Sequence, residues 1–108
     1  MTNLSKDWSR AVIDIPVPVT EDLLRVTALL REMVADLATD PRWSELLLGD
    51  PVVAGVETID VGYVQLRLIA RTLPGRQFEV AREIRLRAAT VLRSAGITSP
   101  SIGDSAPS

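Results

Sequence analysis

Ala11-Val12-Ile13-Asp14-Ile15-Pro16-Val17-Pro18-Val19-Thr20-Glu21-Asp22-Leu23 contains a change of period. Ala11, Ile13, Ile15, Val17 and Val19 fall on one side of an extended chain, and Val12, Asp14, Pro16 and Pro18 on the other. A period of two is that of a half-buried strand. Proline donates no ladder hydrogen bond, and residues two apart aim their amides the same way, so Pro16 and Pro18 leave two successive gaps along one edge. The end of this strand is expected to be unpaired on that side. Thr20 then reads as a helix N-cap, with Glu21 and Asp22 in a first turn where the helix dipole favours acids. Leu23, Val26, Leu30, Met33, Val34 and Leu37 recur at steps of three, four and one, which predicts an amphipathic helix over 21–38. Leu24, Ala28 and Ala35 make a weaker apolar strip on its opposite side.

Downstream, Asp40-Pro41 pairs a capping residue with proline at a first helical position, predicting a short helix over 41–47 that Trp43 and Leu46-Leu47-Leu48 press onto the body. Val52 to Ile59 is a β-branched-rich strand in which Gly55 marks a bulge or a close approach. Asp60-Val61-Gly62 reads as a turn, and a second strand follows with Val64, Leu66, Leu68 and Ala70 inward and Gln65, Arg67 and Arg71 outward, completing a hairpin. Pro74-Gly75 ends it, and from Arg76 the helical period returns through Ala81, Ile84, Ala88, Val91, Leu92 and Ala95. Gly96 is placed as a left-handed C-cap with Ile97 as its apolar partner. The order is β-α-(short α)-β-β-α. Two main helices on one face of a small sheet define an α+β, ferredoxin-like βαββα sandwich that lacks its last strand, with the proline-bearing edge where that strand would pair.

Upstream, residues 1–10 are polar apart from Leu4 and Trp8 and show no period, so they read as a linker leading into a domain over 11–97. Residues 98–108 read as a disordered tail. The N-terminus has no apolar h-region of a signal peptide, and the longest apolar runs fall far short of the roughly 20 residues that span a bilayer. Trp8, a large aromatic in a polar leader, either folds back on the domain or belongs to a contact with something else; we expect it to be largely exposed in this chain.

The 108 residues include no cysteine and no histidine. Disulfides, thiol nucleophiles, Ser-His-Asp triads and Cys- or His-ligated zinc are thereby excluded. The carboxylate pairs Glu21-Asp22 and Glu57 with Asp60 are explained by the helix dipole and by turn chemistry, and no glycine-rich phosphate loop is present, so the pattern points away from an enzyme. Charge is uneven. Residues 1–60 hold eleven acids against five bases, and residues 61–93 hold seven arginines against Glu79 and Glu83. A basic face suggests an anion or nucleic acid partner. A solvated helix face carrying an i,i+4 pair between Glu83 and Arg87 is the simpler account. An RNA-recognition motif shares the topology, but its strands carry aromatics for base stacking and here only Tyr63 is available. Arg85 falls at the border of the last helix's apolar stripe, beside Phe78 and Leu92, where its alkyl stem would snorkel.

Asn3-Leu4-Ser5-Lys6-Asp7-Trp8-Ser9-Arg10 resembles the Asn-x-Ser-basic-x-Trp-Ser-Arg stretch of small-conductance mechanosensitive (MscS-type) channels. In that family this stretch joins the middle β-domain to the C-terminal cytosolic α/β domain. Thr20-Glu21-Asp22-Leu23 is similar to its acid-Leu helix start, and Asp50-Pro51-Val52-Val53-Ala54-Gly55-Val56 to its strand entry. Val64 to Thr72, followed by Gln77 and Ala81-Arg82-Glu83-Ile84, resembles its hairpin and last helix, and Gly96-Ile97 its helix end. The similarity runs over residues 3–97. Thr98-Ser99-Pro100-Ser101 departs from the family's acidic-Ile-Pro-Phe-Pro strand, keeping only the proline.

The resemblance implies the cytosolic vestibule and assembly domain of a channel that releases ions and small osmolytes under membrane tension, as a fragment or a truncated reading frame. It implies identical subunits in a heptameric ring on the cytoplasmic face of the bacterial inner membrane, attached to the membrane only through upstream segments. No cofactor, catalysis or nucleic acid enters. Acidic front and basic rear fit a head-to-tail ring. The candidate subunit-interface residues are Trp8, Leu24, Arg67, Arg71 and Arg85. The alternative is a stand-alone ferredoxin-like regulatory module that binds a small ligand.

Overall fold

The alternation that marks the first strand begins two residues earlier than Ala11: β1 runs Ser9–Pro18 and buries Ala11, Ile13, Ile15 and Val17. The computed structural model describes residues 8–97; the expectations for residues 1–7 and for a disordered tail over 98–108 lie outside the described residues. After β1 come α1 (Leu23–Thr39), α2 (Pro41–Ser44), β2 (Val52–Asp60), β3 (Tyr63–Thr72) and α3 (Gln77–Ser94). The sheet is antiparallel in the order β1-β3-β2, the ferredoxin-like order without its fourth strand among the described residues. Both long helices cover one face. α3 lies over β1 and α1 leans toward β2.

Among the described residues β1 is an edge strand, as the prolines predict. The Val19 amide donates to the Gly62 carbonyl at 3.0 Å, toward β3. Strand alternation therefore turns the nitrogens of Pro18 and Pro16 to the outer edge, where no donor is lost from the β1–β3 ladder. β2 forms the other edge and is broken by two register shifts, one between Val53 and Gly55 and one between Val56 and Thr58. Gly55 holds φ +114° at the first, so the glycine marks the bulge expected of it.

The helix termini correct the sequence reading in detail. α1 is capped by Asp22, whose Oδ1 accepts from the amides of Leu24 (3.0 Å) and Arg25 (3.4 Å). Thr20 is not the cap, because the chain is still turning there: the Glu21 amide donates to the Pro18 carbonyl at 3.1 Å. Asp40 does cap α2, accepting at 3.0 Å from Arg42, but the helix stops at Ser44. Residues 46–48 pair with the end of β3 instead. Leu48 donates to the Arg71 carbonyl and Leu73 to the Leu46 carbonyl, each at 2.9 Å. α3 ends as predicted: Gly96 sits at φ +79°, its amide donates to Arg93, and the Ile97 amide donates to Leu92 at 2.8 Å. That is a Schellman closure, with Ile97 and Leu92 both buried.

The core lies between the sheet and the helices. Val64, Leu66, Leu68 and Ala70 meet Val26, Leu30, Met33, Val34 and Leu37 of α1 and Val80, Ala81, Ile84, Ala88 and Leu92 of α3. Trp43 and Leu46 pack against its margin. The other sheet face carries no helix among the described residues.

Candidate subunit-contact surfaces

Outward side chains of β1 and β3 meet in rows fixed by the register. Arg10 stands opposite Arg71, Val12 opposite Ile69, and Asp14 opposite Arg67. Val52 extends the Val12–Ile69 row onto β2, so an apolar row crosses all three strands. Below it the Arg67 guanidinium donates Nε to Asp14 Oδ1 at 2.8 Å and Nη2 to Oδ2 at 3.0 Å, a two-point fork. This bond, ahead of the opposing desolvation, holds the Asp14 carboxyl below its ordinary range. Above the row, the Arg71 guanidinium carbon lies 5.6 Å from the centroid of the Trp8 ring, within cation–π range. Trp8 is thus half-buried rather than largely exposed, because the sheet supplies a cation against which its ring lies.

Three of the five candidates, Trp8, Arg67 and Arg71, therefore share the bare sheet face. Leu24 does not. It projects from the flank of α1 beside β2 and is 83% exposed. There α1 and β2 diverge into an open groove of about 500 Å³, lined by Arg31, Val34, Ala35 and Ala38 on one side and by Asp50 to Val53 on the other. Arg85 lies on the opposite flank, exposed on α3. Phe78, expected beside the buried stripe, is 74% exposed, because α3 turns that side away from both α1 and the sheet. Arg85 itself stands beside buried Ala81, Ala88 and Leu92 at helical spacing, at the border of the stripe.

A cluster that sequence alone did not assemble ties the helices together. Glu83 and Arg87 form the expected i,i+4 pair, with Arg87 Nε donating at 2.7 Å, and Arg87 Nη2 also donates to Asp40 Oδ2 at 2.8 Å. One Asp40 oxygen thus caps α2 while the other anchors α3. The Arg42 amide, and then Arg87, hold the Asp40 carboxyl below its usual range. Glu83 first, and Asp40 second, raise Arg87. The acidic residue after α1 was visible as a cap; its second partner, 47 residues away, was not.

Among the described residues no group of three or more acidic side chains gathers as a metal site, and no helix is long and apolar enough to cross a membrane. Glu21 and Asp22 sit at the mouth of α1, where Asp22 is occupied as the cap.

These features define an open-faced α+β domain of ferredoxin-like strand order. The family model described as "Mechanosensitive ion channel MscS, C-terminal" matches residues 11–99. The small-conductance mechanosensitive channel of Caldanaerobacter subterraneus subsp. tengcongensis is 27% identical over 100 residues, 93% of this chain and 34% of that protein. Among solved structures, Arabidopsis thaliana MSL1 superposes with a TM-score of 0.65 at 16% identity, covering 87% of this chain and 34% of that one. A second structure, of wild-type AtMSL1, gives a TM-score of 0.62 at 15% identity over 85% of this chain and 32% of that one. The chain belongs to the MscS family of mechanosensitive ion channels, as its C-terminal domain. It spans about a third of the length of these relatives.

Proposed function

We propose that the chain serves as the cytosolic vestibule and assembly domain of a tension-gated channel that passes ions and small osmolytes. The family match over residues 11–99 carries this reading. On it the domain is held at the cytoplasmic face of the inner membrane by segments belonging to the rest of the channel. Identical subunits surround the vestibule, seven of them by analogy with the family. The domain performs no catalysis, takes no cofactor and binds no nucleic acid. Its work is to bring subunits together and to shape the path of solutes. The bare sheet face supports such a role. Its apolar row, flanked by a tryptophan, arginines and one carboxylate, has the composition of protein contact surfaces.

The test is a chimera. Residues 9–97 replace the matching stretch of the Caldanaerobacter channel, and survival is scored in a bacterium lacking its own tension-gated channels after hypo-osmotic shock. Survival close to that with the parent channel is expected. Loss of protection with normal membrane insertion and normal amounts of protein would overturn the vestibule role.

A further inference from the structure

The two flanks of the domain are unlike in shape and in charge. Residues 21–50, which include α1 and α2 and lead into β2, hold seven acids against Arg25, Arg31 and Arg42. Residues 76–94, α3 with its cap, hold five arginines against Glu79 and Glu83. α3 lies over β1 and α1 leans to β2, at opposite edges of the sheet; Asp40 is paired with Arg87 and Asp36 lies beside it between the helices, so the imbalance that remains is five acids against four arginines.

Apolar relief follows the same axis. On β2 the register sets Val53, Val56 and Ile59 opposite Leu68, Leu66 and Val64, which face the helices. Yet Val56 is 48% and Ile59 72% exposed. Leu24, Ala28, Arg31 and Ala35 follow one another at four, three and four residues along the α1 wall above. The groove at Asp50–Val53 forms one end of this trough, whose helix wall from Leu24 to Ala35 is about 16 Å long. On the far flank, Phe78, Arg82, Arg85 and Ala89 follow at the same four-three-four steps, a ridge of about 16 Å. It points away from the side that carries Glu83, Arg87 and Thr90 toward α1.

We infer that the α3 ridge of one copy packs into the α1–β2 trough of the next, with Phe78 anchored among Val56, Ile59 and Leu24. The inference rests on the assembly reading above and names its contact. The ridge matches the α1 wall in length, so it can lie along it as a helix in a groove. Asp50 at the end of the trough is the countercharge it offers to Arg82 and Arg85 of the ridge, and Arg31 on the opposite wall is a like charge. Sheet-to-sheet pairing is disfavoured as a rival contact, because prolines blunt β1 and bulges blunt β2. A contact between two different surfaces propagates and closes into a ring when the rotation permits.

The test uses complementation between two variants of the full chain, Phe78→Asp and Val56→Asp. Both positions are exposed, and circular dichroism checks that each variant folds. In sedimentation velocity at low salt, up to about 0.5 mM, the wild type is expected to associate and each variant alone to remain a monomer. An equimolar mixture is expected to form 1:1 dimers and nothing larger, because each variant keeps one intact half of the contact. If the wild type associates but either variant alone does so equally, or the mixture stays monomeric, this contact is wrong while assembly through another surface stands. A wild type that stays monomeric throughout overturns both the contact and self-assembly of this chain, leaving the chimera result to judge the channel role independently.

Discussion

Asp40 joins two elements through a single carboxylate. One oxygen accepts from the Arg42 amide and starts α2; the other accepts from Arg87 and fixes α3 against the α1–α2 corner. Both bonds favour the ionised form, so the folded pKa lies below the unfolded one. The contribution is therefore complete above the unfolded carboxylate pKa and is lost as pH falls toward the folded value. Asp14 behaves in the same sense through Arg67. Asp40→Asn keeps a capping oxygen and removes the anion facing Arg87. Urea unfolding should show the variant less stable than wild type at pH 7, with the gap narrowing as pH is lowered below about 4. A gap independent of pH would mean that the charge on Asp40 plays no part.

At the scale of elements, α3 shows what a terminus needs. Gly96 holds φ +79°, and a Cβ built there meets nothing within 4 Å, so substitution costs backbone conformation rather than space. Gly96→Ala should lower the unfolding free energy by about 1–2 kcal/mol, read from the urea midpoint at unchanged slope. This closure was legible because Gly-Ile after an apolar stripe has one good local explanation. The inward faces of β1, β3, α1 and α3 were legible for the same reason: each is a period carried by its own residues. The start of α1 was not, since Thr20, Glu21 and Asp22 are all fit for a helix N-terminus and only the turn closed by Glu21 on Pro18 decides among them. α2 was overdrawn because Leu46 and Leu48 meet the end of β3, a partner distant in sequence. The surfaces were the least legible part. The Asp14–Arg67 fork and the Trp8–Arg71 contact depend on the β1–β3 register, and the exposure of Phe78 depends on how α3 rolls on the sheet.

For the whole molecule, strand order converts a sequence asymmetry into a spatial one. α1 and α3, in the acidic and basic blocks of the chain, lean to opposite edges because the hairpin places β3 between β1 and β2, and Asp40 with Arg87 bridges the two between the helices. Contacts built on that opposition are screened by salt, with a Debye length of about 10 Å at 0.1 M. Association of the chain should therefore weaken between about 0.05 and 0.5 M sodium chloride. Equal sedimentation profiles at both ends of that range would show that apolar contact alone holds the copies together.

The blunted strand edges have a consequence for working life. In the ring proposed above, copies held side by side would meet at very high local concentration, the condition under which unguarded strands zip into continuous sheets that do not come apart. Two prolines on one border and two bulges on the other deny neighbours that option. Adjacent domains are left to touch through side chains, which can part and rejoin one at a time. In the assembly proposed above, neighbours joined this way would separate and rejoin without exchanging strands, each domain keeping its own sheet.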